Sequence, residues 1–363
     1  MRVLMISTDP TLLGQGSGGD AIARHLEYAK QVAQLDIFVL SKKRANVRQL
    51  SENCTVQPLS YWRMKKAAEK FFRRQPYDLI VCQDPFLTAR VGTHLKKKFE
   101  KKLIIHFHGD FFDNPFWLQE RLRHRYYRRL AERHVRQADS IRVVSDALRP
   151  KLEKRYVKRE DIYTIPTPVD LEKFRGTPSA ERAVKKIVLT VGRIVAAKDF
   201  PTLLKTAVLV AARVPQLEWQ IIGEGNELAQ LRRQTRRRPY LRWLGAVAHE
   251  QLKNYYQQAA VFVLTSRNES FGKVFLEAAM AQLPCVATDT LGARTILRNG
   301  QTGYLAPIGD AQRLAERIVY LLERPEVAGQ MGQAAQQHAL QNFGWEKSVY
   351  AIIQMWRQTV AHD

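Results

Sequence analysis

Two glutamates eight positions apart, Glu269 and Glu277, lie in the segment Thr-Ser-Arg-Asn-Glu-Ser-Phe-Gly-Lys-Val-Phe-Leu-Glu-Ala-Ala-Met-Ala, residues 265–281. An apolar run ends at Leu264, a polar loop follows, and a helix is expected to open near Gly272. At such a start the amides of Phe271, Gly272 and Lys273 have no intrahelical acceptor, so they are free to bind phosphate or sugar oxygens. The helix is apolar almost all round, through Val274, Phe275, Leu276, Ala278, Ala279 and Met280, and a helix of that kind is buried. Glu277 is then a lone carboxylate in an apolar setting. An unpaired buried charge costs on the order of several kcal/mol, so it needs a cation, donor amides or a ligand's hydroxyls. A buried ion pair is the alternative reading.

A second group of residues points to the same chemistry. After the apolar run 187–191 come Gly192 and Arg193, a short loop to Lys198, then Asp199 and Pro201 as cap and first-turn residue of a helix. This puts Arg193 and Lys198 at the carboxyl end of a strand, where a diphosphate would meet a guanidinium fork and an ammonium. Two solvated loop bases are the alternative. Taken with the helix start and the lone Glu277, the pattern reads as a diphosphate cradle beside a sugar or ribose contact.

These residues need elements to hold them. Short β-rich runs alternate with helical patterns along the whole chain, the mark of parallel sheets with crossover helices. Strands are expected at 2–7, 36–40, 78–83, 103–107, 140–145 and 162–165, and after a Pro-rich crossing at 166–186 again at 187–191, 219–222, 241–244, 261–264 and 285–288. The fold class is therefore α/β, two doubly wound Rossmann-like domains facing each other across a cleft, with ligands beyond the carboxyl ends of the strands. The expected boundaries are 1–168 for a basic acceptor-binding domain, 169–343 for a donor-binding domain, and 344–363 for a closing helix packed back on the first domain.

Arg193 and Lys198, followed by Glu269 and Glu277 with Ser-Phe-Gly after the first glutamate, resemble the retaining glycosyltransferases of family GT4, which have the GT-B fold. The resemblance covers nearly the whole chain. It includes the glycine-rich loop 14–19, the His-Gly-Asp turn at 108–110, the Ile-Pro-Thr-Pro-Val-Asp crossing at 165–170 and the Ile-Gly-Glu-Gly turn at 222–225. It implies that Arg193 and Lys198 hold the diphosphate and stabilise departing charge, that Glu269 contacts donor sugar hydroxyls, and that Glu277 binds the ribose. Ser270, Phe271, Gly272 and Lys273 would assist through their amides. Gly192, Gly223 and the turn ending at Val247 complete the implied donor site. Gly16 would approach the diphosphate, His108 the sugar, and Gly18, Gly19, Asp110 and Ser145 would line the N-terminal side. Thr167 and Pro168 depart from the family's usual Asn and Gly. No acidic pair of the metal-binding kind is apparent, so no metal and no cofactor are expected, the nucleotide-sugar being a co-substrate. Leaving-group charge would fall to cations and amides.

Composition narrows the partners. The formal net charge is +23 with 45% hydrophobic residues, and residues 1–168 hold 33 Lys and Arg against 18 Asp and Glu, net +15. Such a field suits solubility, an anionic membrane surface or nucleic acid. The helix from Arg121 with Tyr126 and Tyr127 fits a lipid surface better than it fits a nucleic-acid-binding protein, and nucleic acid is not expected. Residues 1–7 read as a strand rather than a signal peptide, and no run of eighteen apolar residues occurs. Cys54, Cys82 and Cys285 are far apart, which argues against disulfides or zinc and fits a cytoplasmic protein, with the inner face of the membrane as its expected peripheral site. Gly14, Gly16 and Gly19 spell G-x-G-x-x-G, and an NAD-dependent oxidoreductase is the rival they raise. Against it, the loop from Ser7 is long and Asp36 precedes the second strand instead of closing it.

Overall fold

The computed structural model describes residues 1–15, 20–41, 45–60, 64–156 and 159–362. The chain divides into two compact units, Met1–Pro168 with Trp345–Asp363, and Val169–Gly344.

The first unit carries β1 (Arg2–Ser7), β2 (Gln34–Ser41), β3 (Arg48–Ser51), β4 (Cys54–Ser60), β5 (Leu79–Cys82), β6 (Lys102–Phe107), β7 (Ser140–Val143) and β8 (Ile162–Thr164). Between them run α1 (Ala21–Ala29), α2 (Met64–Arg74), α3 (Leu87–Phe99), α4 (Pro115–Glu120), α5 (Arg123–Val135) and α6 (Arg149–Glu153). The strand order is β3-β4-β2-β1-β5-β6-β7-β8. Neighbours pair parallel except β3, which is antiparallel to β4. The run Val3, Leu4, Met5, Ile6 is wholly buried, as a strand covered by helices on both faces must be.

The second unit holds β9 (Ile187–Val191), β10 (Glu218–Ile222), β11 (Leu241–Gly245), β12 (Val261–Leu264), β13 (Cys285–Thr288) and β14 (Gly303–Ala306). Its helices are α7 (Phe200–Ala211), α8 (Leu228–Thr235), α9 (Leu252–Gln258), α10 (Lys273–Met280), α11 (Leu291–Ile296), α12 (Ala311–Glu323) and α13 (Pro325–Asn342). All its strands are parallel, in the order β11-β10-β9-β12-β13-β14. The sequence passes from β9 outward to β10 and β11, then resumes at β12 on the other side of β9. That reversal opens a crevice at the carboxyl ends of β9 and β12.

The last helix, α14 (Trp345–Ala361), returns to the first sheet. Trp356 is fully buried and meets Tyr28 of α1 edge to face at 5.4 Å, and the hydroxyls of Thr359 and Ser140 lie 2.7 Å apart. The three cysteines are buried thiols without disulfides. Among the described residues no helix is long and apolar enough to cross a membrane.

Candidate active site

The crevice of the second unit is built from glycines and two loops. At the carboxyl ends of β9, β10 and β11 the backbones of Gly192, Gly223 and Gly245 lie side by side. Gly192 N–H donates to Ile222 O (3.0 Å) and Gly223 N–H to Gly245 O (2.8 Å). Gly223 has φ +142, and a Cβ there would stand 1.9 Å from Gly192 O, so only glycine fits. Val247, beyond this edge, is half-buried.

The loop after β9 carries Arg193 and Lys198, and the loop after β12 carries Glu269. The two loops are stitched together. Arg267 N–H donates to Ala197 O (2.9 Å), and the Thr265 hydroxyl donates to Lys198 O (2.9 Å). The guanidinium of Arg267 grips the carboxylate of Asp199 through two atoms, at 3.0 and 3.1 Å, in the fork geometry that fixes orientation. Lys198 is thereby aimed across the crevice, and its ammonium is hydrogen-bonded to the carboxylate of Glu269. Both side chains are mostly but not fully covered, at 15% and 16% exposed. Arg193 is exposed and makes no side-chain bond among the described residues. The sequence casts Asp199 as a helix cap. It does occupy that position, but with φ +50 and no side-chain cap bond. Its carboxylate takes Arg267 and the Thr202 hydroxyl (2.8 Å) instead.

Glu269 leads into the start of α10. Gly272 has φ +76 and is the N-cap of α10, which opens where expected, and a Cβ there would overlap the Phe275 ring at 2.7 Å. The amides of Phe271 and Gly272 donate no hydrogen bond among the described residues. Ser270 and Lys273 are half-buried and Phe271 is buried. Gly292 supports this loop from α11: its N–H donates to Glu269 O (2.8 Å), and a Cβ would lie 2.7 Å from Phe271 N.

Glu277, one face further along α10, is 6% exposed. Its donor is the Tyr256 hydroxyl of α9, at 2.8 Å, with the His249 imidazole 3.9 Å away. Burial and this carboxylate push the Tyr256 hydroxyl well above its ordinary range, so it stays a protonated donor. Phe174 packs edge-on against both His249 and Tyr256, at 5.1 and 5.7 Å. Neither Tyr256 nor His249 was singled out in the sequence, because their link to Glu277 is made only by packing α9 on α10. Arg267 lay inside the motif, and its only signal was its position between the strand end and Glu269.

In the first unit His108 follows β6, with Nε2 3.3 Å from Gln83 Oε1 at the end of β5. Beneath it, His106 is 1% exposed and lies 3.4 Å from Arg142. Arg142 is buried and donates to Ile165 O (3.0 Å) and Pro166 O (2.8 Å), fixing the start of the crossing. Burial brings Arg142 down to about 10. Asp110 and Ser145 serve local turns. Asp110 accepts from the amides of Phe112 and Asp113 (3.2 and 3.1 Å) and pairs with Lys151, and Ser145 accepts from the amide of Ala147 (3.2 Å). Gly16, Gly18 and Gly19 lie outside the described residues. The dinucleotide rival lacks its ribose acid: Asp36 sits inside β2, 8% exposed, and is held by the Tyr77 hydroxyl at 2.7 Å.

Both halves of the chain are similar to known proteins. The family model described as glycosyl transferases group 1 matches residues 177–338, and that of glycosyltransferase family 4 matches residues 32–173. A D-inositol 3-phosphate glycosyltransferase of Corynebacterium urealyticum is 28% identical over 406 residues, spanning 98% of this chain and 95% of the relative. Sucrose-phosphate synthase of Thermosynechococcus elongatus superposes with a TM-score of 0.83 at 22% identity, over 100% of both chains. Anabaena HepE in complex with UDP superposes at 0.78 with 18% identity, over 99% of this chain and 100% of that one. With cations and carboxylates gathered at the crevice of its second sheet, and with both halves matched by family models, the chain belongs to the GT4-type, group 1 glycosyltransferases of the GT-B fold.

Proposed function

We propose that this glycosyltransferase is a retaining enzyme that moves a hexose-type sugar from a UDP- or GDP-sugar to a lipid-linked, glycolipid or polysaccharide acceptor, without a metal. The observation that carries the reading is the meeting of Lys198 and Glu269 at the crevice between β9 and β12, with the buried Glu277–Tyr256 pair on the adjoining helices. In this reading the diphosphate displaces the Lys198–Glu269 contact. Lys198 and Arg193 then face phosphate oxygens, and Glu269 turns to the sugar hydroxyls. Glu277 accepts from the ribose. The bond from the anomeric carbon to the diphosphate oxygen breaks, the acceptor hydroxyl oxygen takes its place, the electron pair leaves on the diphosphate, and the acceptor's proton passes to the departing diphosphate. Two cations and the uncommitted amides of Phe271 and Gly272 meet that charge, which is the preorganised electrostatic term that usually dominates such steps.

UDP is favoured as the nucleotide because the Anabaena neighbour's structures hold UDP and UDP-glucose. A phosphorylated polyol is the second reading for the acceptor, supported by the named activity of the inositol 3-phosphate relatives. The test is thermal melting with UDP, GDP, ADP and NAD, since a ligand that binds only the folded state stabilises it by mass action. UDP is expected to raise the midpoint and NAD to leave it unchanged. Lys198→Ala and Glu269→Ala should each lower transfer by about 10²–10³-fold with the fold kept, the size of losing one preorganised charge partner. A variant at either place with full rate, or stabilisation by NAD alone, overturns the assignment.

A further inference from the structure

The helix α5 and the turn before it carry none of the residues assigned above to the transfer reaction. At about 100° per residue, Leu122, Arg125, Tyr126, Arg129, Arg133 and Arg136 fall within an arc of roughly 100° on one face. All six are exposed, Leu122 at 88% and Tyr126 at 54%. The opposite face is the buried one, through His124, Ala131 and Val135. None of the four arginines on the outer arc makes an ion pair among the described residues, and the helix's own pair, Arg128 with Glu132 at 3.7 Å, lies off it. Phe116 of the neighbouring α4, 39% exposed, extends the apolar part.

Four unpaired guanidinium groups flanking an outward leucine and tyrosine have one natural counterpart. We propose that this face of α5 docks on an anionic lipid surface, the arginines meeting headgroup charge and Leu122 and Tyr126 entering the boundary between headgroups and acyl chains. Charge complementarity selects the partner, and the exposed leucine separates a bilayer from nucleic acid. Stacking on successive bases would need a series of outward rings, whereas Tyr126 is the one outward ring on this face of α5, and the rings beside it are engaged with one another, His124 on Trp117 at 4.4 Å and Tyr127 on Phe86 at 5.0 Å. The docking does not rest on the transfer reaction, so the two readings stand or fall separately.

The test is co-sedimentation of the full chain, without donor, with vesicles of phosphatidylcholine alone and of phosphatidylcholine mixed with phosphatidylglycerol. Retention is expected on the anionic vesicles only and should fall with added salt. A near-surface base contributes a factor of about five to partitioning, so Arg129→Gln with Arg133→Gln should weaken binding roughly thirtyfold. The separate pair Arg125→Gln with Arg136→Gln should act in the same direction. Leu122→Ser with Tyr126→Ser should remove the part of the binding that survives high salt. Equal retention on both vesicles, wild-type binding by both arginine pairs, or capture by a duplex oligonucleotide with none by vesicles would overturn the proposal.

Discussion

Tyr256→Phe isolates the contact on which the ribose assignment of Glu277 depends. The change removes a single oxygen whose hydrogen is donated to Glu277 at 2.8 Å, where the tyrosine is 0% and the glutamate 6% exposed. A hydrogen bond to a charged group contributes about 1.5–3 kcal/mol, and leaving the buried carboxylate without that donor places the loss in this range. For a unit the size of Val169–Gly344, with a shift of about 2–4 °C per kcal/mol, the melting midpoint should fall by roughly 3–12 °C. The informative part is the response to UDP. If ribose hydroxyls donate to the same carboxylate, the bound nucleotide supplies what the phenol took away. Scanning fluorimetry should then show the deficit shrinking by at least half at saturating UDP, and titration calorimetry should show UDP binding the variant at least as tightly as the wild type. A deficit of the same size with and without UDP would place Glu277 outside the nucleotide site and refute the reasoning.

Two further changes probe the frame beneath the site. Gly223→Ala sets a Cβ against Gly192 O at 1.9 Å with φ +142, so it should cost several kcal/mol, read as a lowered urea midpoint and lost UDP binding; a variant as stable as the wild type would show that the glycine row is not tight. Acid should weaken the first unit through His25, which burial, and then Arg24, holds at about 4 against 6.5 in the open chain. Because the folded value is depressed, the stability is fully present above pH 6.5 and is lost as pH falls toward 4, by about 3 kcal/mol at 1.36 kcal/mol per unit. Burial likewise pushes His106 down. Urea midpoints between pH 7 and 4 should fall in the wild type and fall less in His25→Leu, and identical slopes would contradict the assignment.

The sequence contained the strands that are mostly apolar. Residues 2–7, 187–191, 261–264 and 285–288 form strands at the expected bounds, because a strand buried on both faces needs a near-continuous apolar run. It did not show β3, β4 or β14. Pro58 interrupts the pattern of β4, yet among the described residues β3 pairs with Cys54, Thr55 and Val56 of that strand and not with Pro58, so the proline's missing N–H costs the β3–β4 ladder nothing. At β14 the run is four residues with a glycine at its head, too short for any period to register.

The site divides in the same way. Residue type and spacing singled out Arg193, Lys198, Glu269 and Glu277, since a buried carboxylate and a helix start are visible as interruptions of an apolar pattern. Only the tertiary structure could bring the loop after β9 against the loop after β12, because the pairing of Lys198 with Glu269 spans 71 positions and depends on β12 inserting beside β9. The same holds for Tyr256 beneath Glu277 and for α14 returning to the first sheet. Local patterns state what a residue must bury. Which partner satisfies it is decided by strand order, and strand order is a property of the whole chain.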